Sequence, residues 1–392
     1  MKLFAVYFGP AGVALVAHFQ NLVELITQIP NEGINRALVH FWGNPTLEDG
    51  PRRRVFYAAI IYNLIVLFLG FGVFFGLKHI FLKEFIELND LLQLPFEGLF
   101  FTIMSLLLLH LFLMAVILSH GHAKIYTTFS LVSLICSLIL VAYFVQYNDQ
   151  QLALLSVTFG QLLGLVCALV FSVRHRLVRK VKPIETSKGS MEAIWNFMLV
   201  TFGAFVFGKM LEYGVREWMI NAYGLEQAGQ WQSVVKISEN YFLLFTGTVG
   251  LAFFPKVNQL ILFPEELRIY VRGVIALVVP VTLIGSLFIF FGKEWLLVGL
   301  YSKDFLPASK FFLYQQTGDF FLIIAYLLAF MLSAQSKPIV HLSLQFGATV
   351  LYLVFIFYFC SRDGLLGVVE AHALKSAIYF AVLLFLNRRL VL

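Results

Sequence analysis

The stretch FEGLFFTIMSLLLLHLFLMAVILS, at 96–119, carries one acidic residue, one histidine and three hydroxyl side chains in a run that is otherwise apolar. A helix needs roughly 20 apolar residues to cross the hydrocarbon core of a bilayer, so this stretch predicts a transmembrane helix. About eleven stretches of this kind occur along the chain. They lie at 10–41, 55–77, 96–119, 123–146, 152–173, 191–221, 229–254, 269–291, 310–334, 338–360 and 364–386.

The composition supports the same reading for the whole chain. Of its 392 residues, 60% are hydrophobic and only 13% are charged, against about 25% in a typical soluble domain. Forty-three phenylalanines exceed what one soluble core can hide, so lipid must cover many of them. A backbone in lipid has to satisfy its own polar groups. We therefore predict an all-α, polytopic integral membrane protein.

The basic residues indicate both topology and domain organisation. The longest polar connection, RHRLVRKVKPIETSKGS at 174–190, divides the chain into halves of similar size. With this connection in the cytoplasm, alternation of the spans places most loop Lys and Arg inside, as the positive-inside rule requires. The +6 net charge thus reflects topology and does not indicate a nucleic-acid partner. We predict an N-terminal lobe at 1–174, a basic cytoplasmic linker at 175–190 and a C-terminal lobe at 191–392.

No pattern for catalysis, metal binding or a cofactor stands out. Cys136, Cys167 and Cys360 show no CxxC or Cys/His spacing, which leaves metal and redox chemistry without support. Two backbone features do stand out near the N-terminus: a Gly-Pro turn at Gly9, and Pro30, which is expected to kink or break the first long span. Pairs of glycines four residues apart, at 72/76 and 160/164, predict close helix packing.

Ionisable residues inside the apolar spans are the informative signal. Each costs about 2.5–3.5 kcal/mol at a helix centre, so such residues usually face a cavity or a partner. Lys209, Glu212 and Arg216 share one helix face. Lys236 and Glu239 share a face of the next helix with Gln232, and Lys236 is predicted to lie near Glu212. The other polar positions at membrane depth are Asn21, Glu24, Gln28, Asn31, Asn35, Arg36, Gln315, Asp319, His372, Lys375 and Tyr379.

These residues allow two interpretations. The charges could pair with one another and pin helices together, or they could line a hydrated chamber between two lobes, which the number of polar faces favours. Within such a chamber the cations Lys209, Arg216, Lys236, Arg36 and Lys375 suit phosphate. The side chains expected to contact sugar are Trp231, Tyr241, Gln232 and Gln315, and the carboxylates that could couple protons or ions are Glu24, Glu212, Glu239 and Asp319. The residues predict an amphiphilic, anionic cargo.

Several stretches resemble a known family. Phe8-Gly-Pro-Ala-Gly12 with Phe19-Gln-Asn-Leu22 resembles the start of the second helix in Wzx-type O-antigen translocases, a group that includes the lipid III flippases. Gly229-Gln-Trp-Gln232 with Ile237-Ser-Glu-Asn-Tyr241 is similar to that family's Gly-x-Trp-Gln and Ile-Ser-Asp/Glu-x-Tyr stretches. Gln315-Gln-Thr-Gly-Asp319 resembles its Gln-x-x-Gly-Asp motif.

The resemblance implies a MATE-like fold of the multidrug/oligosaccharidyl-lipid/polysaccharide exporter superfamily, with two helical lobes and alternating access. It implies a multi-pass protein of a bacterial inner membrane that flips an undecaprenyl-diphosphate-linked oligosaccharide to the periplasmic leaflet for polysaccharide and lipopolysaccharide assembly. The O-antigen polymerase and a chain-length regulator become candidate partners, beside the lipid-linked substrate and membrane lipid. Trp231, Gln232, Glu239, Gln315 and Asp319 fall on matching positions.

The chain also departs from the family pattern. Its first eight residues resemble only the outer end of a first helix, so we expect about eleven full transmembrane helices. Asn35-Arg36 and His40-Phe41 stand where relatives often have Asn-Gly and Lys-Tyr. Two alternatives stay open: a MATE-like antiporter of small cations, and a membrane enzyme such as the polymerase or ligase. The mixed charges at membrane depth disfavour the antiporter, and the lack of a large outer loop disfavours the enzyme.

Overall fold

The computed structural model describes residues 1–42, 49–81, 96–177, 195, 201, 205–334 and 338–388, and helices make up nearly all of them, with no strand in these ranges. The α-helices are α1 (Lys2–Gln28), α2 (Arg36–Trp42), α3 (Asp49–Phe81), α4 (Phe96–Ser119), α5 (Ala123–Gln146), α6 (Gln150–Arg174), α7 (Leu211–Thr248), α8 (Phe254–Leu260), α9 (Pro264–Phe291), α10 (Lys293–Leu300), α11 (Phe312–Ala334), α12 (Pro338–Asp363) and α13 (Leu366–Leu386). Wider π-helical turns lie at Ile29–Asn35, Phe205–Met210 and Val249–Phe253, and a 3₁₀ helix lies at Lys303–Phe311. The predicted all-α class is confirmed.

Eight helical segments in the described ranges are long and apolar enough to cross a membrane. They are Lys2–Thr27, Gly98–Ser119, Ala123–Gln146, Gln150–Arg174, Pro264–Phe291, Lys303–Met331, Leu342–Asp363 and Leu366–Leu386. The spans predicted at 55–77 and 229–254 are also helical, within α3 and the α7 region, whereas much of 191–210 lies outside the described residues. On α9, Ile269 and Phe288 are largely exposed, as a lipid-facing helix requires.

Two glycines interrupt long helices where the sequence predicts breaks. Gly9 adopts φ 62° and Gly224 adopts φ 80°, left-handed values that a residue without a Cβ reaches at little cost. The first break confirms the predicted Gly-Pro turn. The second divides α7 into two helical parts, the earlier one carrying Glu212 and the later one carrying Lys236.

Pro30 marks the end of α1. Its ring and its missing N–H are incompatible with a regular α-helical interior, and the chain widens into the π turn Ile29–Asn35 before α2 begins at Arg36. The predicted interruption at Pro30 is confirmed. Widened turns of this kind occur often at functional sites, and this one directly follows the turn that carries Glu24.

The chain divides into two compact units. The first unit is Leu15–Val215, and the second unit combines Met1–Ala14 with Arg216–Leu392. In the first unit α6 packs against α4 and α5, and in the second α13 packs against α11 and α12. Most of the basic linker at 175–190 lies outside the described residues, so the lobes at 1–174 and 191–392 stay a prediction.

Close packing in the first unit depends on two glycines of α6. A Cβ on Gly160 would overlap the Ser133 carbonyl oxygen and the backbone of Ser137, and one on Gly164 would overlap the Ser133 hydroxyl. The small-residue spacing predicted there therefore does bring α6 against α5. At the other spacing, Gly72 and Gly76 meet no atom of the described residues within 4 Å.

Replacement of Gly160 by alanine is expected to destabilise the protein by about 1–3 kcal/mol, because the added methyl group forces α5 and α6 apart. Thermal unfolding in detergent measures the effect. Gly285→Ala is the matched control, since a Cβ there meets no described atom within 4 Å. Equal melting temperatures for the two variants would show that the helix contact at Gly160 is dispensable.

Candidate functional site

A buried carboxylate, Asp319 on α11, lies at the centre of a hydrogen-bond network in the second unit. It accepts hydrogen bonds from the hydroxyl groups of Ser238, at 2.6 Å, and Tyr241. The Gln315 amide donates to it at 3.1 Å, and His372 Nε2 lies 2.9 Å from its Oδ1 atom. We call these five residues the Asp319 cluster. Three separate helical segments, in α7, α11 and α13, thus converge on a single carboxylate.

The carboxylate of the Asp319 cluster is buried away from solvent. Asp319 is 3% exposed, and a carboxylate buried to this degree is stable only when paired and hydrogen-bonded. The short Asp319–His372 distance requires a proton between the two groups. Because proton gain or loss would change the charge of the whole network, the cluster is chemically suited to couple ionisation to helix movement.

A second cluster in the same unit brings two cations to one carboxylate. Arg216, which is 2% exposed, places Nη2 4.0 Å from Glu239 Oε1, and Lys236 Nζ lies 2.6 Å from Glu239 Oε2. We call these three residues the Arg216 cluster. A guanidinium and an ammonium group side by side are donors that suit an anionic ligand. Lys236, predicted to lie near Glu212, pairs with Glu239.

Buried polar groups without a hydrogen-bond partner among the described residues lie two turns before Glu239. They are both amide atoms of Gln232, a residue 1% exposed, and the indole N–H of Trp231. Buried polar atoms are usually satisfied, so each exception asks for an explanation. A ligand with both donors and acceptors would supply the missing hydrogen bonds.

The third cluster lies in the first unit, where Lys209 contacts two carboxylates. Its ammonium is 2.5 Å from Glu24 Oε2 and 3.1 Å from Glu212 Oε2. Lys209 lies in the π turn Phe205–Met210, and Glu212 follows three residues later at the start of α7. We call Lys209, Glu24 and Glu212 the Lys209 cluster. The predicted shared face of Lys209 and Glu212 is confirmed, and Glu24 joins it from α1.

The remaining predicted residues fall partly outside these clusters. Arg36 begins α2 with an exposed side chain, and Lys375 places its ammonium 5.4 Å above the ring of Tyr352. Ser238, Tyr241 and His372 were not predicted to contact Asp319. The sequence shows that these residues lie on helices, but it does not show that their side chains meet at Asp319. Among the residues described, no three His, Cys, Asp or Glu side chains are grouped so as to hold a metal ion.

The motifs that suggested a family also pack together. A Cβ on Gly229 would overlap the carbonyl of Pro10, so the Gly-Pro stretch and the Gly-x-Trp-Gln stretch make direct backbone contact in the second unit. Only glycine permits this approach. The contact places Trp231 and Gln232 on a helix fixed by the first residues of the chain.

The fold is that of a MATE-like membrane transporter. The structure is similar to a multidrug-resistance MATE family transporter of the MOP superfamily in an inward-facing conformation, with a TM-score of 0.80 and 13% identity over 98% of this chain and 92% of the other. It is also similar to the lipid II flippase MurJ, with a TM-score of 0.68 and 16% identity over 98% of this chain and 83% of that one. The predicted MATE-like architecture is confirmed.

Similarity in sequence points to a lipid flippase. The lipid III flippases of Escherichia coli K12 and Shigella flexneri are each 21% identical to the chain over 387 residues, covering 97% of this chain and 91% of theirs. No protein-family model matches the chain. The resemblance found in the sequence motifs is confirmed, and the relatives are flippases and transporters rather than enzymes.

Proposed function

We propose that this protein flips an undecaprenyl-diphosphate-linked oligosaccharide, an O-antigen or related repeat unit, across a bacterial inner membrane. The observation that supports this proposal best is the Arg216 cluster, in which two cations at membrane depth share one carboxylate. Charged residues at that depth usually face a cavity or a partner. A diphosphate binds a guanidinium and an ammonium group through charge-assisted hydrogen bonds, and the similarity to lipid III flippases supports the same class of cargo.

The sugar portion is expected to contact Trp231 and Gln232, whose buried polar atoms have no hydrogen-bond partner in the described part of the chain. These residues lie on the helix that also carries Lys236 and Glu239, so one helix face presents groups for both sugar and diphosphate. In this proposal Asp319 and Glu239 balance the charge as the cargo enters and leaves. Access then alternates between the cytoplasmic and periplasmic leaflets.

The test is complementation. The chain, expressed in bacterial strains that lack either the O-antigen translocase or the lipid III flippase, is expected to restore the corresponding surface polysaccharide in one of them. Drug susceptibility is measured in parallel. Restored drug resistance with no surface polysaccharide in either strain would favour the alternative, a MATE-like antiporter of small cations.

Gln232→Leu is expected to reduce transport several-fold while leaving the melting temperature unchanged or higher. The reason is that leucine removes two unsatisfied buried polar atoms without leaving a cavity. Surface polysaccharide and detergent melting curves measure the two effects. Asn387→Leu is the matched control, because the Asn387 amide donates to the Leu383 and Leu328 carbonyls and its loss should destabilise instead. Normal transport by Gln232→Leu would remove Gln232 from the sugar site.

A further inference from the structure

Lys375 on α13 is a lysine at membrane depth whose ammonium has neither a hydrogen bond nor an ion pair with any described residue. It lies near the middle of the span Leu366–Leu386. Its one close contact is the ring of Tyr352, which lies near the middle of the span Leu342–Asp363, with 5.4 Å from the ammonium to the ring centre. The face of a ring attracts a cation, but it leaves the three N–H donors of the ammonium unused.

The Lys375 side chain is partly exposed. A charged group that faced hydrocarbon at the centre of a span would cost about 2.5–3.5 kcal/mol, so such residues usually face a cavity or a partner. Because no described residue supplies that partner, the exposed part of Lys375 is accessible to water or to a polar ligand.

The carboxylate that acts on Lys375 electrostatically is Asp319, yet the two groups form no ion pair. The reason lies in the hydrogen bonds of the Asp319 cluster. A carboxylate has about four lone-pair positions, and four donors already occupy them. The donors are the hydroxyl groups of Ser238 and Tyr241 on Oδ2, and the Gln315 amide and the His372 ring on Oδ1. Lys375 can bond to this carboxylate only by displacing one of them.

His372 occupies the position on Asp319 that faces α13. It lies one turn before Lys375 on that helix, with Nε2 2.9 Å from Asp319 Oδ1. Its ring fits there because residue 318 is a glycine, where a Cβ would overlap the ring. The backbone of α11 therefore admits His372 to the carboxylate, and the ring keeps the ammonium of Lys375 away from it.

We propose that the four donors on Asp319 keep Lys375 unpaired, so that its ammonium is available to the diphosphate of the cargo. Phosphate oxygens accept charge-assisted hydrogen bonds from an ammonium group, and the Tyr352 ring holds that group in place without using its donors. The four donors are positioning residues that act through Asp319. The role of Lys375 rests on the proposed function, because it gives the same cargo a second contact.

The first experiment measures binding of farnesyl diphosphate to the full-length protein in nanodiscs. Lys375→Met keeps an unbranched side chain that can pack on the Tyr352 ring but has no donor. It is expected to bind about tenfold more weakly than the wild type, with a melting temperature that is unchanged or higher. Lys256→Met, at an exposed position on α8, is the matched control. Unchanged affinity in folded Lys375→Met would overturn the proposal.

The second experiment opens acceptor positions on Asp319. Tyr241→Phe removes a donor from Oδ2, and His372→Ala removes one from Oδ1. Lys375 can then pair with the carboxylate, so binding of farnesyl diphosphate is expected to weaken about fivefold or more. Asp319→Asn, added to either variant, removes the carboxylate that captures Lys375 and should restore the wild-type affinity. Tyr358→Phe, at an exposed position, is the control for the loss of a tyrosine hydroxyl.

The rescue by Asp319→Asn separates this role from a structural one. If Lys375 only connects α13 to Tyr352 on α12, the acceptor positions of Asp319 have no influence on ligand affinity. Unchanged affinity in both folded variants, or a loss that Asp319→Asn does not restore, would therefore contradict the proposal.

Parallel probes identify the group that Lys375 binds. Inorganic diphosphate should compete with farnesyl diphosphate in the wild type and much less in Lys375→Met, whereas binding of phosphatidylglycerol should not depend on Lys375. An equal dependence for phosphatidylglycerol would show a general contact with lipid headgroups and would also overturn the proposal. Failure of the proposed function is distinguishable, because the wild type would then bind the diphosphate through Lys375 without transporting glycan.

Discussion

Asp319→Ala is expected to abolish transport and to destabilise the protein. The substitution leaves the hydroxyl groups of Ser238 and Tyr241 and the ring of His372 without their shared acceptor. Breaking a buried, hydrogen-bonded charge in this way typically costs about 3–5 kcal/mol. Melting curves in detergent and surface polysaccharide in complemented cells measure the two effects.

The Asp319→Asn variant separates the loss of transport from the loss of stability. Asparagine keeps the size of the side chain and one acceptor oxygen, so the fold should survive, but it cannot hold the charge that we assign to Asp319. Thr317→Ala is the matched control on the same helix, because Thr317 is exposed and its hydroxyl donates only to the Leu313 carbonyl. Full transport by Asp319→Asn would show that the cluster is a purely structural connection.

Lys209→Ala is expected to lower transport by about tenfold or more, a loss that about 1.4 kcal/mol of binding free energy already produces. The variant removes the ammonium that we predict to contact the diphosphate, and it takes from Glu24 and Glu212 the cation that they share. Because these groups are substantially exposed, the melting temperature should change little. Lys256→Ala, at an exposed position on α8, controls for the loss of a lysine.

A charge swap decides whether the Lys209–Glu24 pair is structural. The double variant Lys209→Glu, Glu24→Lys restores an ion pair between α1 and the π turn but moves the cation to the other helix. If the cation is needed at its native position, the swap stays inactive although it folds. Wild-type transport in the swapped protein would identify the pair as a helix connection without a transport function.

Much of the helical architecture could be predicted from the sequence, because length and hydropathy alone determine which segments can span a bilayer. The breaks at Gly9 and Pro30 were predictable for local reasons, namely backbone freedom and a missing N–H. The shared face of Lys209 and Glu212 was predictable as well, since helical spacing determines it.

The partners across helices could not be predicted in the same way. Ser238 and Asp319 are 81 residues apart, and Glu24 lies even further from Lys209 along the chain. Their contacts depend on helix rotation and packing, which no local pattern encodes. The shared chamber between the lobes stays a prediction, and the structure adds three groups of contacts among the described residues, one in the first unit and two in the second.

The most direct measurement is glycan translocation by the purified protein in sealed vesicles. Undecaprenyl-diphosphate-linked oligosaccharide is placed in the inner leaflet, and a membrane-impermeant lectin detects glycan that reaches the outer leaflet. We predict that vesicles with wild-type protein expose glycan far faster than protein-free vesicles, and that vesicles with Asp319→Asn do not. Equal exposure in wild-type and protein-free vesicles, with correctly folded and inserted protein, would contradict the assignment of this chain as a flippase of lipid-linked oligosaccharides.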